Sequence, residues 1–229
     1  MNVIGHPLNA PSAWNQSIHF TPLVGPDYDA GLVDGIRVLL LGESHYGIDD
    51  AGGNFGSRCT HHHFEGYLTD DCDWSTDRPF FQKLPSIVTR KLEPTAAESG
   101  WAWRHIAFSN AIQSLLPASS AVPTREQFER AGEAVQELVS VLRPHVVLML
   151  GKRLWDGIPP AIGVYSDEPP IQPSEQPRKI WLLPHPDGFS RATWIYHPSR
   201  YFESIPSSIA VFSELLERAH QGQPRPIAG

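Results

Sequence analysis

A chain of 229 residues, 41% of them hydrophobic, can bury one good core and is short for two, so a single domain over 1–229 is expected. The formal net charge of −7 argues against a non-specific nucleic-acid coat, which needs Lys and Arg to displace counterions, yet Lys152, Arg153, Arg178, Lys179, Arg191 and Arg200 could still gather into a local basic face. Two cysteines are too few for a disulfide framework, and neither a basic-then-apolar leader nor an apolar run of about 18 residues is visible, so neither secretion nor membrane spanning is expected and a reducing cytoplasm is.

Residues 1–35, rich in Pro, Gly and Asn, read as an irregular arm packed across the domain. Ile36 to Leu41 (IRVLLL) is continuously apolar and ends at Gly42, the pattern of a strand buried on both faces. Residues 47–75 form a long Gly, His and Asp-rich loop, a length more often functional than idle. Asp77 to Leu92 predicts a helix that Pro85 should shorten or kink, and His105 to Phe108 is a weaker strand.

Thr124 to Leu142 is the best helix. Thr124 and Gln127 make a capping box, Phe128, Ala131, Val135, Leu138, Val139 and Leu142 keep one face apolar, and Pro144 stops it. A second buried strand follows, His145 to Leu150, ended by Gly151, and GKRLW looks like the opening of a helix. Ala161 to Arg178, crowded with proline, is a loop or edge decoration. Lys179 to Leu183 is another strand, and Ser207 to His220 carries a helical stripe through Ile209, Phe212, Leu216 and Ala219. Strands alternating with helices imply a mostly parallel sheet covered on both faces.

The segment Lys179 to Arg191 (KIWLLPHPDGFSR) carries the strongest functional signal. Pro184 and Pro186 prevent a central strand from continuing, so the chain must turn at His185, with Phe189 just beyond. In open α/β sheets ligands bind outside the carboxyl ends of strands, which makes a histidine there a candidate ligand contact.

Four pieces in order resemble the uracil-DNA glycosylase superfamily: IRVLLLGESHYG (Ile36 to Gly47), HIAFSNAI (His105 to Ile112), LRPHVVLMLGKRLW (Leu142 to Trp155) and KIWLLPHPDGFSR. The resemblance implies a three-layer α/β/α sandwich around a short, mostly parallel four-stranded sheet. It also implies an enzyme that hydrolyses an N-glycosidic bond in DNA, with no cofactor and no metal.

Such a cleavage leaves positive charge on the sugar and negative charge on the departing base, so it needs an acidic group near the first and a donor at the second. By resemblance His185 donates to the pyrimidine O2, Phe189 is the wedge that replaces the flipped nucleotide, and Arg191 grips a flanking phosphate. Lys152, Asp187, Gly188, Ser190 and Arg200 complete the expected DNA contacts. The first loop departs from the pattern. The uracil-specific branch has aspartate and the mismatch-specific branch asparagine where this chain has Ser44, which can supply no charge. Another branch has glutamate at the second position, so Glu43 is assigned to orient water and stabilise the cation, with Asp49 or Asp50 as substitutes. Ser44, His45, Tyr46 and Asn110 are expected to line the base pocket. Tyr46 lies where the uracil-specific branch excludes thymine's methyl, and the Asn110 amide can offer both a donor and an acceptor to a pyrimidine edge.

Two features compete with this scheme. His61, His62 and His63 with Cys59 and Cys72 could hold zinc, but the spacing is irregular for such a site. His197-Pro198, in TWIYHPSRYF, is a second His-Pro pair. His185 is preferred because Gly188 and Phe189 follow at the family's offsets, which leaves His197 and Arg200 as backbone contacts.

The expected protein is a monomeric, monofunctional DNA glycosylase excising uracil or a modified pyrimidine, for instance a bulkier modified cytosine of viral DNA. The alternatives are an inert nucleic-acid or nucleotide-binding module of the same fold, and a hydrolase of free nucleosides.

Overall fold

The computed structural model describes residues 6–47, 56–64, 79–118, 120–172, 176–199 and 205–222. Among these, seven strands form one mixed sheet: β1 (Leu23–Val24), β2 (Val38–Gly42), β3 (Ile106–Asn110), β4 (Val146–Leu150), β5 (Val164–Tyr165), β6 (Trp181–His185) and β7 (Gly188–Ile195), in the order β1-β3-β2-β4-β7-β6-β5. The expectation of four strands is thus corrected. Four adjacent strands, β3, β2, β4 and β7, do run parallel, and antiparallel strands extend the sheet on both sides. Of these strands, β6 is the apolar run read from the sequence, whereas β1 and β5 are two residues each and β7 carries buried polar residues, which hides them from a search for apolar runs.

Six helices accompany the sheet among the described residues: α1 (Cys59–Phe64), α2 (Pro79–Thr89), α3 (Ala96–Arg104), α4 (Arg125–Leu142), α5 (Lys152–Gly157) and α6 (Ile205–His220). None is long and apolar enough to cross a membrane. Side chains of a strand alternate between faces, and the core divides accordingly. Val38, Leu40, Phe108, Val146 and Leu148 pack with Leu84 and Ile87 of α2, Trp103 of α3 and Phe212 and Leu215 of α6. Leu39, Leu41, Ala107, Val147 and Met149 pack with Val135, Leu138 and Leu142 of α4 and Leu154 and Trp155 of α5.

The α4 helix forms as its sequence dictates. The Thr124 Oγ1 accepts the Gln127 N–H at 3.2 Å, the Gln127 side chain accepts the Thr124 N–H at 2.8 Å, and Arg143 closes the helix in the left-handed region at φ 47°. Its buried Leu138, Val139 and Leu142 each contribute on the order of 2 kcal/mol by leaving water. Pro85 does not end α2, which continues to Thr89 and buries Leu84, Ile87 and Val88. The arm ahead of β2 is short 3-10 turns and β1, anchored where the buried Tyr28 hydroxyl donates to the Leu142 carbonyl at 3.2 Å.

The largest difference concerns residues 179–195. His185 and Gly188 are directly paired across the β6–β7 hairpin, so Pro186-Asp187 is a two-residue hairpin turn and GFSRATWI is an eight-residue strand. Pro-Asp-Gly marks a turn as expected, but the chain reverses into the sheet instead of leaving it for a ligand.

Candidate active site

The strand register decides which of the expected residues meet. Leu41 of β2 is level with Met149 of β4, and Met149 with Trp194 of β7. Glu43, Asn110 and His197 therefore all lie at the carboxyl edge of the parallel strands. His185 is level with Gly188, six residues before Trp194, which puts it roughly 20 Å back along the sheet at the amino edge. The expectation that Glu43 and His185 face one hollow is corrected: they occupy opposite ends of the sheet. Asp187, Gly188, Phe189, Ser190 and Arg191 go with His185.

Each of these has a local partner at that edge. Asp187 pairs with Arg143 across 3.3 Å, and its N–H donates to the His185 Nδ1 at 3.2 Å. Phe189 packs against the core, and the buried Ser190 hydroxyl donates to the Pro144 carbonyl. The Arg191 side chain, 7% exposed, forks onto Glu168 with Nη2 to Oε1 at 2.7 Å and donates to the Gly222 carbonyl at 2.8 Å. Burial in first place holds the His185 pKa below 6.5; Asp187 opposes the effect and Arg37 adds to it.

At the carboxyl edge the loops after β2 and β3 remain hydrogen-bonded beyond the sheet. The Ala111 and Ile112 N–H groups donate to the Gly42 and Glu43 carbonyls at 2.9 Å, and the Leu116 N–H donates to the His45 carbonyl at 3.0 Å. This brings Glu43 and Asn110, both buried, beside one another. Gly42 is required there, because a Cβ on it would lie 2.1 Å from the Asn110 Oδ1.

The Glu43 carboxylate is held by Arg153 of α5, whose Nε donates to Oε2 at 2.7 Å and whose Nη2 donates to Oε1. That carboxylate, followed by burial in the opposite sense, raises the Arg153 pKa above its ordinary value. Ser44 is buried, and its Oγ has no hydrogen-bond partner among the described residues. His45 is turned inward, with its Nε2 3.0 Å from the Thr60 Oγ1 of α1 and its ring edge-on to Phe20. Tyr46 is 37% exposed at the rim. Lys152 pairs with Asp156 one turn along α5. Asp49, Asp50 and Arg200 lie outside the described residues.

Beyond β7, His197 sits next to Gly151 at the end of β4, where a Cβ on that glycine would be 3.9 Å from the His197 Cβ. The His197 Nδ1 is 3.3 Å from the Ser199 N–H and 2.7 Å from the Ser199 hydroxyl. A backbone N–H can only donate, so Nδ1 accepts and the neutral ring carries its proton on Nε2. Phe80 of α2 stacks on the His197 ring at 5.2 Å and meets Phe108 edge-on at 6.2 Å. His197, the His-Pro pair that the sequence reading sets second to His185 and leaves as a backbone contact, is the one at this edge. Arg153 is read there only as part of a basic face, and nothing local marks Phe80.

No three His, Cys, Asp or Glu side chains among the described residues are grouped to hold a metal ion. The His61 Nε2 lies 3.1 Å from the Pro22 carbonyl, while Cys72 and the His63 side chain lie outside the described residues.

An acid, an amide and an imidazole thus stand at the carboxyl edge of four parallel strands, the edge at which open α/β sheets take their ligands. The chain belongs to the uracil DNA glycosylase superfamily, whose family model matches residues 32–205. No curated protein matches it.

Proposed function

We propose that this protein is a DNA glycosylase that swings a pyrimidine nucleotide, carrying uracil or a modified base, out of the strand and hydrolyses its N-glycosidic bond. The observation that carries the reading is the convergence of Glu43, Asn110 and His197 at one edge of four parallel strands in a chain of this superfamily. A three-layer α/β/α arrangement, with α2, α3 and α6 on one face and α4 and α5 on the other, is part of it.

Each role follows from chemistry. As the bond from the sugar C1′ to the base nitrogen breaks, its electron pair leaves with the base, and the His197 Nε2–H donates to the base oxygen where that charge gathers. The Asn110 amide reads the base edge with a donor and an acceptor. Phe80, stacked on the His197 ring, holds that ring in the plane from which it donates. A water molecule supplies hydroxide to C1′ and passes its proton to the Glu43 carboxylate. Arg153 takes two of the roughly four lone-pair directions on that carboxylate and leaves the others for water. Tyr46 at the rim guards the pocket mouth against bulk on the base. Lys152 and Arg200 contact flanking phosphates.

The test is to incubate the protein with oligonucleotides bearing uracil or modified pyrimidines and to break abasic sites with alkali. Strand breakage lost in His197→Ala and kept in His185→Ala supports the reading. Tight binding without breakage on any base assigns an inert binding module instead. Cleavage of free nucleosides but not of oligonucleotides assigns a nucleoside hydrolase.

A further inference from the structure

We infer that Arg153 is a positioning residue that joins the reacting carboxylate to the nucleic-acid backbone: one edge of its guanidinium fixes Glu43, and the other takes a phosphate of the bound strand. The inference rests on the glycosylase reading for its first half and on geometry alone for its second.

Glu43 is 7% exposed and reaches no cation other than Arg153 among the described residues, whereas the Arg153 side chain is 41% exposed. The pair is therefore asymmetric, with the carboxylate sunk in the protein and the guanidinium spanning from it to the surface. Guanidinium has five donors in a rigid plane, and the Glu43 fork takes the two of Nε and Nη2 that point inward. The outward edge lies at the carboxyl side of the sheet, where the Tyr46 side chain at the rim is hydrogen-bonded to the guanidinium and Lys152, 49% exposed, precedes it in α5. Buried Leu154 and Trp155 fix the helix, so Arg153 arrives at Glu43 with its backbone already held. Ser44 carries no charge, which leaves Glu43 as the carboxylate of this turn, and its orientation depends on a residue 110 positions away.

A strand phosphate on the outer edge would couple docking to catalysis, because the planar group cannot tilt toward the phosphate without turning the carboxylate with it. Lysine could keep the charge for a phosphate but cannot hold both oxygens of Glu43. The two halves are therefore separable in one experiment. Wild type, Arg153→Ala and Arg153→Lys are compared for binding to a duplex bearing a tetrahydrofuran abasic analogue over a series of KCl concentrations. They are then compared for single-turnover excision of the base that wild type removes, at saturating enzyme.

Arg153→Ala is expected to lower the salt slope of binding by about one ion and the excision rate at least about tenfold, with part of the rate restored by added guanidinium. Arg153→Lys is expected to keep the slope and lose the rate. Should Arg153→Ala not fold, the lysine variant still carries both readouts. An unchanged slope in Arg153→Ala, or a lysine variant whose slope falls, overturns the phosphate contact. A lysine variant excising at the wild-type rate overturns the positioning of Glu43. If wild type excises no base from any oligonucleotide, the glycosylase reading fails and the Glu43 half with it, while the salt slope still decides the phosphate half.

Discussion

The two ends of the parallel sheet carry similar residue types and put them to different uses. At the amino edge, His145, Arg37, Arg143, Asp187, Arg191 and Glu168 are largely spent on one another and on the backbone, and His185 accepts the Asp187 N–H through Nδ1 while its buried Nε2 has no hydrogen-bond partner among the described residues. Arg37 donates through Nε and Nη2 to the Arg143 carbonyl, and the His145 Nδ1 accepts the Arg37 N–H at 3.0 Å. At the carboxyl edge, Asn110 keeps its amide group uncommitted among the described residues, and the Ser199 contacts leave the proton of the neutral His197 ring on Nε2. The lesson is that a histidine following a strand is not by itself a site. The direction of its strand decides whether it meets the other strand ends or merely staples a hairpin.

The largest effect should come from exchanging the two histidines. Removing one donor aimed at a developing anion costs about a hundredfold to a thousandfold in rate. His197→Ala should therefore slow single-turnover excision by about that factor, and His185→Ala should leave it within about twofold. Equal losses in the two variants would erase the distinction between the edges.

Arg191 sharpens the comparison from the other side. Read from sequence it is a phosphate contact, but its guanidinium is buried against Glu168. Removing one partner of a buried pair costs about 3 kcal/mol or more where the charge left behind has no other partner, here softened because Glu168 is 19% exposed and keeps Arg218 at 3.7 Å. Arg191→Ala should lower the denaturant midpoint by a corresponding amount and leave the salt slope of DNA binding unchanged. A reduced slope would return Arg191 to the interface.

Between these edges, much of the fold is legible in the chain. IRVLLL and HVVLML are continuous apolar runs because they are buried on both faces, and Thr124 with Gln127 announces the long helix before any contact is known. The α3 helix hides behind Gly100 and a weak apolar stripe, although Thr95 and Glu98 form a capping box that marks it. The β7 strand hides because Ser190, Arg191 and Thr193 are buried polar residues, satisfied by Pro144, Glu168 and the Lys179 carbonyl, partners that no local pattern reveals. Hiding β7 is what misplaces the histidine. Once GFSRATWI is a strand, the next His-Pro pair falls at the carboxyl edge with Glu43 and Asn110 without further assumption. The place of Glu43 and Tyr46 at the carboxyl edge is legible because they follow a strand plain in the sequence, and that of Asn110 because it ends the weaker β3.

Gly42 gives a smaller and more local prediction. Its missing Cβ is the space occupied by the Asn110 Oδ1. Gly42→Ala should force the amide or the loop aside, costing about 1–3 kcal/mol of stability by thermal or chemical unfolding. Discrimination among pyrimidines should weaken more than the Glu43-dependent hydrolysis does. An unchanged base preference would mean that Asn110 does not read the base.

The smallest effect is a dependence of stability on pH that originates at the amino edge. His185 and His145 both have folded pKa values held below 6.5, mainly by burial. In the unfolded chain each titrates near its ordinary value, so between that value and the depressed one the unfolded state binds more protons than the folded state. Stability therefore rises with pH across this window: it is fully present above about 6.5, falls as the pH drops toward the folded values, and levels off below them. The His185 Nδ1 gives the structural reason, since it accepts the Asp187 N–H and cannot be protonated without losing that bond. Melting temperatures of wild type should decline on acidification from pH 7.5 to 5, and His185→Gln should flatten part of the decline while excision at pH 7.5 stays as it was. A decline that survives in His185→Gln and vanishes in His197→Ala would locate the titration at the wrong edge, and with it the division of labour between the two ends of the sheet.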